Sequence, residues 1–274
     1  MSQTIAFIGA GNMGRAIIGG LIESGHLPTS IRVADADHAA AQRLHDQLGV
    51  EAHATNGDAA VGASVVVLAV KPQQMREVVT DLTAAIKASG PVVLSIAAGI
   101  STSALAGWLG ANTAIVRSMP NTPALIGRGT AALYANAAVS AEGRALAATI
   151  MSAVGNVHWL EDESLMDAVT ALSGSGPAYV FKLIEVLEQA GTALGLPPTL
   201  ARALALETAA GASALAASSA ASPAELRSQV TSKGGTTEAA LRVLCEGGLE
   251  PLFDRALTAA RDRSRTLAEE FGKP

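Results

Sequence analysis

The stretch Ile5-Ala6-Phe7-Ile8-Gly9-Ala10-Gly11-Asn12-Met13-Gly14 decides the fold. Its first four residues are all apolar, as in a strand buried on both faces. Glycines spaced Gly-x-Gly-x-x-Gly follow at once, and Met13–Ser24 then reads as a helix. Strand, glycine turn and helix in that order form a cradle for phosphate. Gly9 permits the turn, Gly11 lets backbone approach a pyrophosphate, and Gly14 lets the helix pack closely on the strand. Ile8, Gly9, Gly11, Asn12, Met13 and Gly14 are therefore expected around a dinucleotide. Asp35 lies 21 residues after Gly14, at the end of the second expected strand. An acid there accepts from the adenosine ribose 2′-hydroxyl and repels a 2′-phosphate. That favours NADH; a solvated turn residue is the plainer reading. Arg43 on the next helix could swing in, so NADH and NADPH both stay open.

Outward from this stretch, short apolar runs alternate with helical ones. Ile5–Ile8, Ile31–Ala34, Val65–Val70, Val92–Ile96 and Ala114–Arg117 read as strands. Met13–Ser24, Asp37–Leu48, Gln73–Ala88 and Ser103–Leu109 read as the intervening helices. This is the alternation of an α/β doubly wound sheet. Gly129–Tyr134 and Asn156–Trp159 extend it. After about Glu161 strand signals vanish and long Ala/Leu-rich helices take over. One starts at Ser175-Gly176-Pro177 and stops at Gly195, and a second runs from Pro197-Pro198 to about Ala217. A capping box with proline at the first helical position, Ser222-Pro223-Ala224-Glu225, starts a third. The last runs from about Pro251 to Phe271. The expected domains are a dinucleotide-binding Rossmann domain over 1–162 and an all-α segment over 163–274. The second is about 110 residues long, with apolar residues on more than one helix face. Such helices predict a homodimer in which the helical domains pack together.

Apolar residues make up 49% of the 274-residue chain and charged residues 16%, enough for a substantial core. The net charge of -5 and the lack of a basic run argue against nucleic acid. The single cysteine, Cys245, rules out an internal disulfide and a cysteine-based zinc site. The longest apolar run, roughly Ala59 to Val70, is too short to span a bilayer. With no basic leader at the start, the expectation is a cytoplasmic protein without a membrane partner.

Ligands in such a sheet sit beyond the carboxyl ends of the strands. Ala69-Val70-Lys71-Pro72 ends the third strand of the list above, and Lys71 there is a phosphate or ribose contact or a solvated strand end. Ala97-Ala98-Gly99 ends the next, where small residues let a flat nicotinamide lie against backbone. Met119-Pro120-Asn121-Thr122-Pro123 follows the one after; its prolines stiffen a loop expected to border the hydride-transfer site. A dehydrogenase acting on an alcohol carries a general base beside the nicotinamide. His26, His38, His45, His53 and His158 sit in no motif that places one there, and read as surface residues. Lys182 is the nearest lysine candidate.

Without a base, reduction of a C=N bond becomes attractive, because an iminium carries its own positive charge. The site then needs an anchor and a hydrogen-bonding partner for nitrogen. A second glycine turn, Ser232-Lys233-Gly234-Gly235-Thr236-Thr237, precedes the helical run Glu238–Leu244. Its amides and helix dipole suit a carboxylate, and the Thr237 hydroxyl suits the nitrogen. Equally, Thr236 and Thr237 read as simple helix caps.

The chain resembles the pyrroline-5-carboxylate reductase family over its whole length. The motifs are Phe7–Gly14, Ala69–Pro72, Met119–Pro123, Leu172-Ser173-Gly174-Ser175-Gly176-Pro177-Ala178-Tyr179 and Val230-Thr231-Ser232-Lys233-Gly234-Gly235-Thr236-Thr237. The resemblance implies reduction of 1-pyrroline-5-carboxylate to L-proline by NADPH or NADH. It implies a homodimer whose active sites combine one subunit's cofactor domain with the other's helical domain, and for many members a ring of dimers. It assigns the ring nitrogen to Thr237 as the catalytic contact and the carboxylate to Ser232, Gly234, Gly235 and Thr236. Glu163 matches a substrate-region glutamate, Asn56 an adenosine-side contact, and Ala69, Val70, Lys71, Pro72, Ala97 and Asn121 cofactor-lining positions. Asp35 departs from the pattern, since many members carry small or basic residues there and use NADPH. Two rivals remain. A β-hydroxyacid dehydrogenase would need its lysine at Val180, and Lys182 is displaced by two residues, about 200° around a helix. A non-catalytic nucleotide-binding subunit would need the first glycine turn but not the second.

Overall fold

A computed structural model describes residues 3–272. Eight strands form one sheet: β1 (Ile5–Ile8), β2 (Ile31–Ala34), β3 (Glu51–Ala52), β4 (Val65–Leu68), β5 (Val92–Ser95), β6 (Ile115–Met119), β7 (Gly129–Ala135) and β8 (Gly155–Trp159). Their order is β3-β2-β1-β4-β5-β6-β7-β8. All neighbours are parallel except β6 and β7. Six helices belong to the sheet: α1 (Asn12–Glu23), α2 (His38–Leu48), α3 (Asn56–Ala60), α4 (Met75–Ser89), α5 (Thr102–Leu109) and α6 (Ala141–Ser152).

Side chains along a strand alternate between faces, and both faces here are covered. Ile5 and Phe7 pack with Ile17, Leu21, Leu44 and Ile150, from α1, α2 and α6. Ala6 and Ile8 pack with Ala59, Met75, Leu82 and Leu105, from α3, α4 and α5. Hence β1 is apolar throughout rather than alternating. The expected run Val65–Val70 ends as a strand at Leu68, because Ala69 and Val70 turn into the cleft beyond the sheet. β3 is unannounced in the sequence because two residues carry no periodicity. α6 was not expected either, yet β7 and β8 are parallel and need a crossover, which α6 provides.

The remaining helices are α7 (Met166–Val169), α8 (Gly176–Ala193), α9 (Pro198–Ser218), α10 (Pro223–Gln229), α11 (Thr236–Glu246) and α12 (Leu249–Phe271). By packing, the chain divides into two compact units. One runs through Gly174 and regains the chain from Ala260; the other is Ser175–Ala259. The change in composition at 162/163 and the change in packing therefore do not coincide. Residues 163–174 are anchored to the sheet unit by polar ties described below. The helix ends follow local chemistry. Proline stands in the first turn of α8, α9 and α10, and the box Ser222/Glu225 is closed in both directions at 3.3 and 2.6 Å. The Ser222 backbone N–H holds the Glu225 carboxyl below the usual carboxylate range.

Ser175–Ala259 has little core of its own. Its buried apolar side chains are Ala201 and Ala205, while Phe181, Leu183, Leu204, Leu215 and Phe253 are exposed. α8 and α9 meet through small residues, with Gly191 against Ala201. No described helix is long and apolar enough to cross a membrane.

The sheet's far edge depends on a backbone contact. Gly129 and Gly155 face each other in the β7–β8 register. A Cβ on Gly155 would lie 1.9 Å from the Gly129 carbonyl oxygen, and the Gly155 φ is +152°. Gly155→Ala is expected to cost about 2 kcal/mol or more. An unshifted urea midpoint would contradict this.

Candidate active site

At the carboxyl end of the sheet, three strand ends converge on the first glycine turn. The Gly9 N–H donates to the Ala34 carbonyl at 2.8 Å, and the Ala69 N–H donates to the Ile8 carbonyl at 2.8 Å. Gly9 has φ +110°, and a Cβ there would meet the Ala69 carbonyl oxygen at 2.5 Å. A Cβ on Gly14 would lie 2.7 Å from the Gly9 oxygen, so the third glycine seats α1 on the turn. Gly11 differs: nothing lies within 4 Å of its Cβ position. It is the N-cap of α1 and makes no side-chain cap bond. The turn thus presents open space and a helix N-terminus without a side-chain cap, which fits a pyrophosphate.

Asp35 is tied into the same turn. Its Oδ2 accepts from the Ala10 N–H at 2.6 Å and its Oδ1 from the Asp37 N–H at 2.8 Å. Arg43, the cation on the next helix, pairs with Asp37 at 3.2 Å.

Beside the turn lies a cleft of about 490 Å³. Of the residues expected from sequence, Ile8, Gly9, Gly11, Asp35, Asn56, Ala69, Val70 and Lys71 line it. Sequence reasoning missed Ala36, His38, Ala54, Thr55, Gln74, Val78 and Asp81. Thr55 was detectable in principle. It caps α3, accepting from the Asp58 N–H at 3.1 Å, and so places Asn56 as the first helical residue. His38, read as a surface residue, is exposed but sits on the cleft wall.

The other expected cofactor residues are not among those lining this cleft. Asn12 is exposed at the first position of α1, and Met13 packs against the core. Pro72 starts a short 3-10 turn that leads into α4. Ala97 is buried in the core on the α4–α5 face of the sheet. The Asn121 amide is committed at both ends: Nδ2 donates to the Ser173 carbonyl at 3.1 Å, and Oδ1 accepts from the Thr130 N–H at 3.0 Å. Its geometry is that of a loop fastener.

Glu163, which the resemblance matches to a substrate-region glutamate, has both carboxylate oxygens engaged within the sheet unit. Oε1 accepts from the Thr102 N–H at 2.8 Å and from Arg117 Nη1 at 3.0 Å, and Oε2 accepts from the Thr102 hydroxyl at 2.6 Å. The missed partner is Arg117, a buried cation on β6.

The second glycine turn is built differently. Gly234 has φ +73°, the Gly235 N–H donates to the Ser232 carbonyl at 3.0 Å, and the Gly234 N–H donates to Glu238 Oε2 at 2.7 Å. A Cβ on Gly235 would strike Ser232 Oγ at 2.6 Å, which keeps the serine hydroxyl close over the turn. The N-cap of α11 is Gly235, with no side-chain cap bond. Thr236 and Thr237 are the first two residues of the helix itself, so neither caps it. At that helix start Ser232, Gly234 and Thr236 are exposed, and Gly235 and Thr237 are half-buried. Lys182 is paired with Glu185 at 2.7 Å, and Val180 is half exposed.

Comparison with known proteins gives a consistent answer. Residues 163–267 match a family model described as pyrroline-5-carboxylate reductase dimerisation. Residues 4–99 match one described as NADP oxidoreductase coenzyme F420-dependent. The chain is similar to a pyrroline-5-carboxylate reductase of Pseudomonas aeruginosa, 47% identical over 98% of each chain. A solved pyrroline-5-carboxylate reductase of Coxiella burnetii superposes with a TM-score of 0.94, at 41% identity over 98% of this chain and 99% of that one. One of Plasmodium falciparum, with NADP bound, superposes at 0.86, with 27% identity over 97% and 98%.

The glycines of the first turn should separate by measurement. Gly11→Ala is expected to keep the melting temperature and to weaken NADH or NADPH binding about tenfold, about 1.4 kcal/mol. Gly9→Ala is expected to lower the melting temperature itself, because its Cβ has no space. Equal effects of both on stability would refute the distinction.

Proposed function

The chain belongs to the pyrroline-5-carboxylate reductase family, and we propose on that footing how its own residues carry the reaction. The protein is an NAD(P)H-dependent oxidoreductase that reduces 1-pyrroline-5-carboxylate to L-proline, the last step of proline biosynthesis. A bound nicotinamide dinucleotide supplies the hydride. The first glycine turn and the α1 N-terminus hold its pyrophosphate, and the cleft from Asp35 to Asn56 receives the adenosine side.

Substrate binding falls to the second turn. The start of α11, which no side chain caps, favours an anion, which suits the substrate carboxylate. Ser232, Gly234, Gly235 and Thr236 surround that position. The Thr237 hydroxyl holds the ring nitrogen. As the C=N bond is reduced at carbon, its electron pair passes to nitrogen, and a protonated imine needs no strong acid for this step. Lys182 is not required as a base, and its pairing with Glu185 supports that reading. The observation that carries the proposal is the α11 N-terminus, which has no side-chain cap, with two threonines immediately inside it.

We further take the protein to act as a homodimer in which the 163–274 segment joins two copies. Exposed Phe181, Leu204 and Phe253 support this, because a helical unit with so little core gains from covering them. One subunit's cofactor turn then works with its partner's second turn.

Thr237→Ala is expected to lower kcat/KM for pyrroline-5-carboxylate roughly 100-fold. Cofactor Kd should stay within twofold; unchanged turnover would remove Thr237 from the chemistry. At the other turn, Asp35 favours NADH because a carboxylate repels a 2′-phosphate. Asp35→Ser is expected to shift the NADPH/NADH ratio of kcat/KM toward NADPH by about tenfold. An unmoved ratio would mean that Asp35 does not read the ribose.

A further inference from the structure

The polar ties around Glu163 have a common target. Thr102, which donates to both Glu163 oxygens through its N–H and hydroxyl, is the first residue of α5 and is buried. It closes the loop from β5, residues 96–101, the stretch read above as the nicotinamide-side wall. Ser101 caps α5 by accepting from the Ala104 N–H at 3.1 Å, so Glu163 takes a helix-start amide that the local cap leaves over. Arg117 lies in register with Ser95 at the end of β5. Its guanidinium is buried, one of its nitrogens has no hydrogen-bond partner, and its ion pair is with Glu163 at 3.0 Å. A buried cation of this kind strongly favours keeping the carboxylate where it is.

The same turn holds the loop from a second side. Asp167, four residues after Glu163, accepts from the buried Ser264 hydroxyl at 2.7 Å and faces Arg265 at 3.7 Å. Those residues belong to the late part of α12, whose Leu267 and Ala268 lie about 3.5 Å from the Cβ position of Gly99. Gly99 has φ +73°, a left-handed conformation that glycine adopts without strain and a side chain would not. Loop 96–101 is thus fastened at Thr102 by Glu163 and backed at Gly99 by a helix that Asp167 anchors.

We propose that Glu163 is a positioning residue for hydride transfer: through Thr102 and Arg117 it holds loop 96–101 at the distance the reaction needs. This rests on reading that loop as the nicotinamide-side wall. It gives Glu163 a task other than contact with the substrate. Misplacing a reacting group by an ångström slows transfer strongly while leaving remote binding contacts intact. The effect should therefore fall on kcat and on the isotope effect rather than on affinity.

The test compares Glu163→Gln and Thr102→Val with wild type, using the full-length protein. Thr102→Val removes the hydroxyl but keeps the shape and the helix-start N–H, so it remains informative if Glu163→Gln folds poorly. In both variants kcat should fall about tenfold, with cofactor Kd and substrate KM within about twofold. The kinetic isotope effect with dinucleotide deuterated at the transferred position should rise, and Thr102→Ser should restore wild-type behaviour. A purely structural role would lower the melting temperature and the active fraction without moving the isotope effect. That outcome overturns the proposal, as does wild-type kcat in both variants. A rise in substrate KM confined to Glu163→Gln would also overturn it, by making Glu163 a substrate contact. Gly99→Ala separates the two layers of the argument. If it slows turnover while Glu163→Gln and Thr102→Val do not, only the positioning role fails. If all three are silent, the reading of the loop as the nicotinamide wall fails.

Discussion

Backbone meets backbone where Gly9 lies against the Ala69 carbonyl, and the architecture of the first unit follows from that approach. A side chain there would need the space that the oxygen occupies. Because Gly9 has none, β1 ends between β2 and β4 with its N–H on Ala34, and α1 starts close against the turn on Gly14. The chain changes direction across the sheet at this point, running from β1 to β2 and β3 on one side and then to β4 on the other. A cleft at such a switch point is the expected consequence of doubly wound topology. Gly11 alone of the three glycines is left facing open space, so packing and ligand approach are divided among positions five residues apart or less.

The second unit shows the opposite balance. Its helices are well terminated by prolines, Gly195 and the Ser222/Glu225 box, so local chemistry specifies them fully. Their large apolar side chains nevertheless stay exposed in the single chain. Local order without an internal core leaves these apolar faces to be covered from outside the unit. The family description of residues 163–267 as a dimerisation region agrees with that balance.

Between these extremes, a few polar side chains do work that hydrophobic packing does not specify. Asn121 spans from Thr130 to Ser173, and Glu163 spans from Thr102 to Arg117. Each joins segments separated by dozens of residues at the carboxyl end of the sheet. Such groups are satisfied only when all their partners arrive together, so they fix relative positions more sharply than apolar contacts do.

Sequence alone determined the doubly wound sheet, because strands buried on both faces must be apolar throughout and a glycine turn must follow the first. It also determined the helical remainder, through its proline and serine starts, and the two glycine turns, through spacing. Tertiary structure decided the rest. The two-residue β3 is too short to carry a period, and α6, whose Ser140 cap and Ala-rich run are local helix signals, takes its place as the crossover between the parallel strands β7 and β8. Motif position marks Asn121 and Glu163 but says nothing of their partners. The structure supplies these, Ser173 and Thr130 for Asn121 and Thr102 and Arg117 for Glu163, since a side chain's partners are set by which distant segments the fold brings within hydrogen-bonding reach.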